Sequence, residues 1–319
     1  HFVDGDNLTE NFTIQDFFAG KYLIRDSGAD TQEALTAAKI NGRHSKTGLG
    51  DIELYLGYRF WDTKNSHFAT NLGIVLPTSK KPSGEFLWEG RTGNCKLGIR
   101  GGLEGSTKLW EAKDQELVLH LNGDFTYLFR GSEKRTLGLA LSTDNLTGKV
   151  LSHYYLAGQD GIAGMFPAAN ILTRDVDVDM GGKFDAITSF EYTNGRFTLD
   201  VGYNFFWKDD ETVKVKSWTE DTYGIAKLTY RSYVSGTSTP FTFTDTDENE
   251  EGISTAKLDT AAAETPSICS HTLFVSTGFI FSNWKYPVMI GSGFSYEVPT
   301  KKRTAAEGYK MWTKLGIMF

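Results

Sequence analysis

The chain has 319 residues, a formal net charge of −7 and 39% hydrophobic residues. That balance offers no clustered Lys and Arg surface for nucleic acid, and no run approaches the ~18 apolar residues of a membrane helix. The longest apolar run, 273–284, is broken by Ser276, Thr277, Gly278, Ser282 and Asn283.

Aromatics reach 13%, with 34 Gly and only 7 Pro, a composition that suits long β-strands carrying amphipathic rings at their ends. A membrane-crossing strand needs only about 9 to 11 alternating residues, so a mean hydropathy of −0.33 is no objection to one. The chain opens at His1 without a basic-then-apolar export segment and reads as a processed form whose signal peptide has been removed. Residues 1–32 alternate too poorly for strands and are expected at a periplasmic end or as a lumen plug.

From 51 to 61, Ile52, Leu54, Leu56, Tyr58 and Phe60 fall on one side, opposed by Glu53, Tyr55, Gly57 and Arg59. The same period of two recurs over 96–104, 116–130, 177–192, 196–208, 272–281 and 288–298. In 197–207 the row Phe197, Leu199, Val201, Tyr203, Phe205 and Trp207 is uninterrupted and places bulky rings towards one end, as a lipid-facing wall with an aromatic girdle does. Strands of a soluble sandwich are usually shorter, about five or six residues.

Asn194-Gly195 is a tight hairpin signal, and 282–286 is also short, so both are expected on the periplasmic side. The longer connections 77–94, 158–174, 209–221, 245–268 and 299–310 then fall outside. Making directions alternate requires further strands near 33–43, 149–157 and 239–244. The expectation is an all-β, transmembrane antiparallel β-barrel over 33–319 with fourteen strands, or twelve if a weak pair fails.

The face opposite the apolar rows carries Glu53, Arg59, Arg100, Glu104, His120, Asp124, Arg130, Asp177, Asp179, Lys183, Asp185 and Asp200. An ionised group at the bilayer centre costs about 2 to 4 kcal/mol, so this face is expected to line a lumen. Such charges fit a solute-selecting pathway and equally an ion-paired filling that supports the wall. Asp177, Asp179 and Asp185 could select cations, against the simpler reading of a solvated wall. The acidic run 245–251 reads by default as a solvated loop.

Six scattered histidines show no metal-ligand spacing, and no G-x-S-x-G elbow is present, so neither a metal site nor an enzyme is expected. No cofactor is implied. Cys95 and Cys269 fit no zinc site and could form one bridge at the outer rim in an oxidising compartment.

The run Gly48-Leu49-Gly50-Asp51-Ile52-Glu53-Leu54-Tyr55-Leu56-Gly57-Tyr58-Arg59-Phe60, followed by Leu72-Gly73-Ile74-Val75-Leu76-Pro77-Thr78, resembles outer-membrane proteins of the phenol meta-pathway degradation-associated family. These are similar to fatty-acid transporter barrels. The family's "GLGD" and "LPTG" elements lie at corresponding places, with Ser79 in place of the last Gly. The ending 311–319, closing on Phe319, looks like the terminal-strand signal that barrel-assembly machinery reads. The resemblance implies a bacterial outer-membrane protein, in contact with lipid and lipopolysaccharide, that passes small and hydrophobic or aromatic solutes by diffusion. The alternative from another class is a closed structural barrel whose outer loops contact partners. Oligomerisation would use the same apolar faces that meet lipid.

Overall fold

The computed structural model describes residues 13–21, 24–25, 31–140, 151–159, 165–220, 222–226, 250–282, 286–300 and 307–317. The fold is mostly β, dominated among the described residues by one antiparallel sheet of nine strands. In chain order these are β1 (Ile52–Asp62), β2 (Ser66–Leu76), β3 (Gly98–Ala112), β4 (Gln115–Leu128), β5 (Gly181–Asn194), β6 (Phe197–Lys208), β7 (Ile268–Phe281), β8 (Val288–Pro299) and β9 (Gly308–Ile317). Each pairs with its chain neighbour, so the sheet is a meander with β1 and β9 at its edges.

Side chains alternate across a strand, so the register decides whether nine local alternations add up to two coherent faces. They do. The row Leu54, Ile74, Ile99, Tyr127 lies on one side, and so do Phe184, Trp207, Cys269 and Phe125, and, further along, Val201, Val275, Phe294 and Met311. On the other side Arg100 stands across from Thr126, then Lys183, then Lys208. One face is therefore mainly apolar and the other mainly polar, although His271 and Thr277 fall on the first and Phe206 and Phe274 on the second.

The connections divide by length. At one end lie the turns 63–65, 113–114, 195–196 and 282–287; at the other lie 77–97, 129–180, 209–267 and 300–307. The 195–196 hairpin needs Gly195 at φ 55, the left-handed conformation that glycine adopts without a Cβ penalty.

The long connections build a cap with its own core. Leu137, Leu139, Leu172, Val176, Val178, Val213, Ile253 and Leu258 pack together, and Val75 and Leu128 join them from the sheet. Both of those lie in the row Glu53, Val75, Gly98, Leu128, Gly181, on the polar face at the long-loop end. The cap thus roofs that face from one end. Ser189, Ser270, Ser295 and Thr126, all on the polar face, are buried.

Several expectations need correction. Residues 33–43 form no ladder strand: Leu35 and Ala38 are buried beside Ala169, and only Lys39 bridges Phe86. The two buried side chains lie three residues apart, a spacing that a strand's period of two does not put on one side. The expected strand 177–192 is two strands, Thr173–Asp179 and β5, separated at Gly181, whose φ of 63 turns the chain out of the first sheet. Of 149–157, the described part holds a 3-10 turn, Ser152–Tyr154, and the start of the short strand Leu156–Gln159 in a small cap sheet. The strand expected near 239–244 lies outside the described residues, as does Phe319. The helix Ile14–Phe18 sits at the long-loop end rather than at the short turns: Phe18 meets Tyr154 edge to face at 4.9 Å.

Candidate functional site: the polar face and its cap

Of the candidate lining residues, Glu53, Arg59, Arg100, Glu104, His120, Asp124, Lys183, Asp185 and Asp200 share the polar face of the nine-stranded sheet. Arg100 ties three strands together: its guanidinium lies 2.6 Å from Glu53 on β1 and 3.2 Å from Asp124 on β4. To reach β1 it must cross β2, and the residue it crosses is Gly73, its register partner, which presents no side chain. His120 approaches Glu191 at 3.6 Å. Asp185 accepts a hydrogen bond from the Asn204 amide, and Arg59 pairs with Asp62 at 3.1 Å beside a short turn.

Like charges also face one another. Asp124 stands opposite Asp185, Glu191 opposite Asp200, and Lys183 opposite Lys208. Direct cross-strand pairs of like charge are destabilising unless each finds other company. Asp124 has Arg100, and Lys208 has Glu211 at 2.9 Å. Asp200 has an oxygen shielded from solvent with no hydrogen-bond partner among the described residues. The middle of this face thus carries more charge than its ion pairs neutralise.

Arg130, Asp177 and Asp179 are elsewhere. Asp177 and Asp179 belong to a three-stranded cap sheet, in which Val176 and Val178 turn inward to the core and leave the carboxylates on the opposite side. There Asp179 meets Arg130 at 3.4 Å and Asp177 meets Lys216 at 3.4 Å. The cation-selecting trio expected of Asp177, Asp179 and Asp185 is therefore not assembled on one wall. Cys95 and Cys269 are free thiols. Cys95 is buried beside Ser79 Oγ at 3.1 Å, and Cys269 lies on the apolar face opposite Trp207. Four strand spacings separate β7 from β3, about 19 Å along the sheet, against the 4.4 to 6.8 Å between Cα atoms that a bridge requires. Among the described residues no group of three or more His, Cys, Asp or Glu is arranged to hold a metal ion, and no helix is long and apolar enough to cross a membrane.

Two polar constructions join cap to sheet, and neither was foreseen. The first is a buried charge network. Glu133, in the cap strand Gly131–Thr136, is fully buried and meets Arg91 at 2.7 Å, Lys96 at 3.3 Å and Arg135 at 2.5 Å. Arg135 continues to Glu211 at 2.9 Å, and Glu211 to Lys208 at the end of β6. Burial pushes the Glu133 carboxyl up, but Arg91, Arg135 and Lys96 pull it further down, so it stays below the usual carboxylate range. Lys96, with 1% of its side chain exposed, is held below the usual lysine range by burial despite Glu133 and donates to Gly131 O at 2.7 Å. The sequence hides this network because the run Gly-Ser-Glu-Lys-Arg-Thr reads as a polar loop and its partners lie 35 to 80 residues away.

The second construction uses the quoted "GLGD" and "LPTS" residues. Asp51 accepts from Ser79 Oγ at 2.5 Å, Asn94 N at 2.6 Å, and the backbone amides of Ser79 and Cys95 at 3.2 Å. Thr78 Oγ1 donates to Gly50 O at 2.7 Å and accepts from Ile52 N at 3.0 Å. Burial raises the Asp51 carboxyl, yet these donors lower it further, so it ends below its ordinary range. The two elements of the motif are the two halves of one staple that fixes the 77–97 connection over the start of β1.

No family model matches the chain, and no curated protein matches it. The family resemblance therefore rests on residues 45–105 alone.

Proposed function

We propose that the chain is a bacterial outer-membrane β-barrel that passes small solutes along its polar face, with the long loops outside and the cap at the outer mouth. The observation that carries this reading is the nine-strand agreement of faces. One side is apolar and exposed from Leu56 to Met311, while the other collects the charges. A soluble protein would not leave so wide an apolar face to water.

The dimensions agree with a bilayer. From Phe197 to Trp207 on β6 is ten steps, about 34 Å along the strand and about 26 Å of height at a tilt of ~40°, close to the ~25 Å apolar band of such barrels. Rings flank that band on the apolar face, with Tyr127, Phe184 and Trp207 towards the long loops and Tyr192, Phe197 and Phe279 towards the short turns. The separation of long and short connections to opposite ends has the asymmetry of outer-membrane barrels.

A second reading is supported by the cap. Its core closes over the polar face at the long-loop end, and Arg100 with Glu53 and Asp124 pairs charge inside the wall. Both features suit a filled barrel whose outer surface contacts partners. Planar-bilayer conductance of the folded protein separates the two. Discrete steps whose ion selectivity shifts in Arg100→Glu support conduction; silence from protein that partitions into detergent and shows heat-modifiable gel mobility leaves the filled barrel.

A further inference from the structure

The nine strands alternate in direction, so the two edge strands point the same way. Both β1 and β9 run from the long-loop end, at Ile52 and Gly308, to the short-turn end, at Asp62 and Ile317. A barrel with an even number of strands closes through an antiparallel pair, and this sheet cannot. We propose that β1 and β9 close the sheet against each other through a parallel seam, an inference that rests on the membrane reading above.

Hydrocarbon does not tolerate an open edge, because every second residue of an edge strand turns its N–H and C=O towards the missing neighbour. β1 and β9 have 11 and 10 residues, so each can satisfy the other along its whole length. All of β1 is exposed. Both edges also continue both faces. Leu56 on β1 and Met311 on β9 are 85% and 78% exposed on the apolar side, while Glu53 and Arg59 on β1 and Lys310 and Lys314 on β9 continue the polar side.

Face matching restricts the register to steps of two residues. Setting the long-loop ends level then places Leu54 beside Met311 and Tyr58 beside Leu315 outside. Inside, the same register sets Glu53 beside Lys310, Tyr55 beside Trp312, and Gly57 where Lys314 needs room. The charges are complementary in this register, and among the described residues Lys310 pairs with Glu297 at the long distance of 3.6 Å. A second copy is the competing neighbour. Copies inserted with one orientation also present β9 to β1 in parallel, so the same chemistry would then join chains. The closely similar lengths and matched ends of one chain's two edges favour closure on itself. A nine-stranded barrel is scarcely wider than an eight-stranded one, whose interior side chains nearly fill, so a small conductance is expected.

The test uses protein with Cys95→Ser and Cys269→Ser, expressed with an export signal in cells that are then separated into soluble and outer-membrane fractions, carrying Leu54→Cys with Tyr309→Cys, Met311→Cys or Thr313→Cys in turn. Val201→Cys with Val275→Cys, a pair facing outward in register, is the control. After mild oxidation, an intramolecular disulfide at monomer mass in one β1–β9 pair, strongest for Met311→Cys, is the expected result. Disulfide-linked dimers overturn the proposal in favour of a two-chain barrel. No seam disulfide beside an efficient control overturns it in favour of another neighbour for each edge. If the control links but the protein is recovered in the soluble fraction, the membrane reading itself has failed.

Discussion

Removing the carboxylate of Glu133 strands a cation. Glu133→Gln keeps the size of the side chain but leaves Lys96, with 1% of its side chain exposed, beside a neutral amide, with only Gly131 O still in place. Arg91 and Arg135, at 29% and 18% exposed, can recruit water instead. Taking one partner from a buried pair costs about 3 to 5 kcal/mol, and the lower end applies because two of the three cations are partly hydrated. We therefore expect a loss of about 3 kcal/mol in cap stability. Since partners in contact are not additive, Lys96→Met combined with Glu133→Gln should lose less than the two single variants summed, by about 1 kcal/mol or more. Denaturant titration in detergent, followed by Trp218 fluorescence inside the cap core, gives all four corners of the cycle. A Glu133→Gln variant within about 0.5 kcal/mol of the parent would falsify the idea that this network latches the cap.

Other outcomes follow from the same geometry. Asp51→Ala removes the acceptor of four donors, of which Cys95 N still has Ser79 Oγ at 3.1 Å, and should cost about 2 to 4 kcal/mol, with protease cutting gained in 77–97, whereas unchanged protection would show that the staple is idle. Leu56→Arg, midway along the apolar side of edge strand β1, should lower folding free energy in bilayers by about 2 to 4 kcal/mol, and a negligible change would place that face away from lipid. Burial keeps buried His153 below its ordinary range, so between about 6.5 and its lower folded value only the unfolded state takes up the proton. Cap stability should consequently fall as pH drops below about 6.5, and His153→Gln should flatten that slope. Glu133 and Glu211 act lower on the scale: with folded values below the usual carboxylate range, their contribution is complete above about 4.3 and is lost only as pH falls through those lower values. An equal slope in His153→Gln between pH 7.5 and 5 would assign the effect elsewhere.

The pattern of faces was legible because it is local. A strand's period of two places Leu54, Leu56 and Tyr58 on one side whatever lies beside them, and an Asn-Gly pair makes its hairpin within four residues. The charged positions on the opposite side follow automatically, which is why nine of the twelve lining residues expected from sequence share one face in the structure. Alternation, however, carries no information about the neighbour. Asp177 and Asp179 alternate as Asp185 does, yet a left-handed turn at Gly181 sends them to a different sheet. Leu35 and Ala38, three residues apart, are buried together beside Ala169, which no period of two would bring to one side. Glu133 and Lys96 look like ordinary surface charges until residues far apart in the chain enclose them. The sequence thus determines which side of a strand each residue takes, through a geometry repeated every two residues. Which strands are neighbours, which way the edge strands run and which charges are sealed from water depend on contacts between distant segments, and only the tertiary structure decides them.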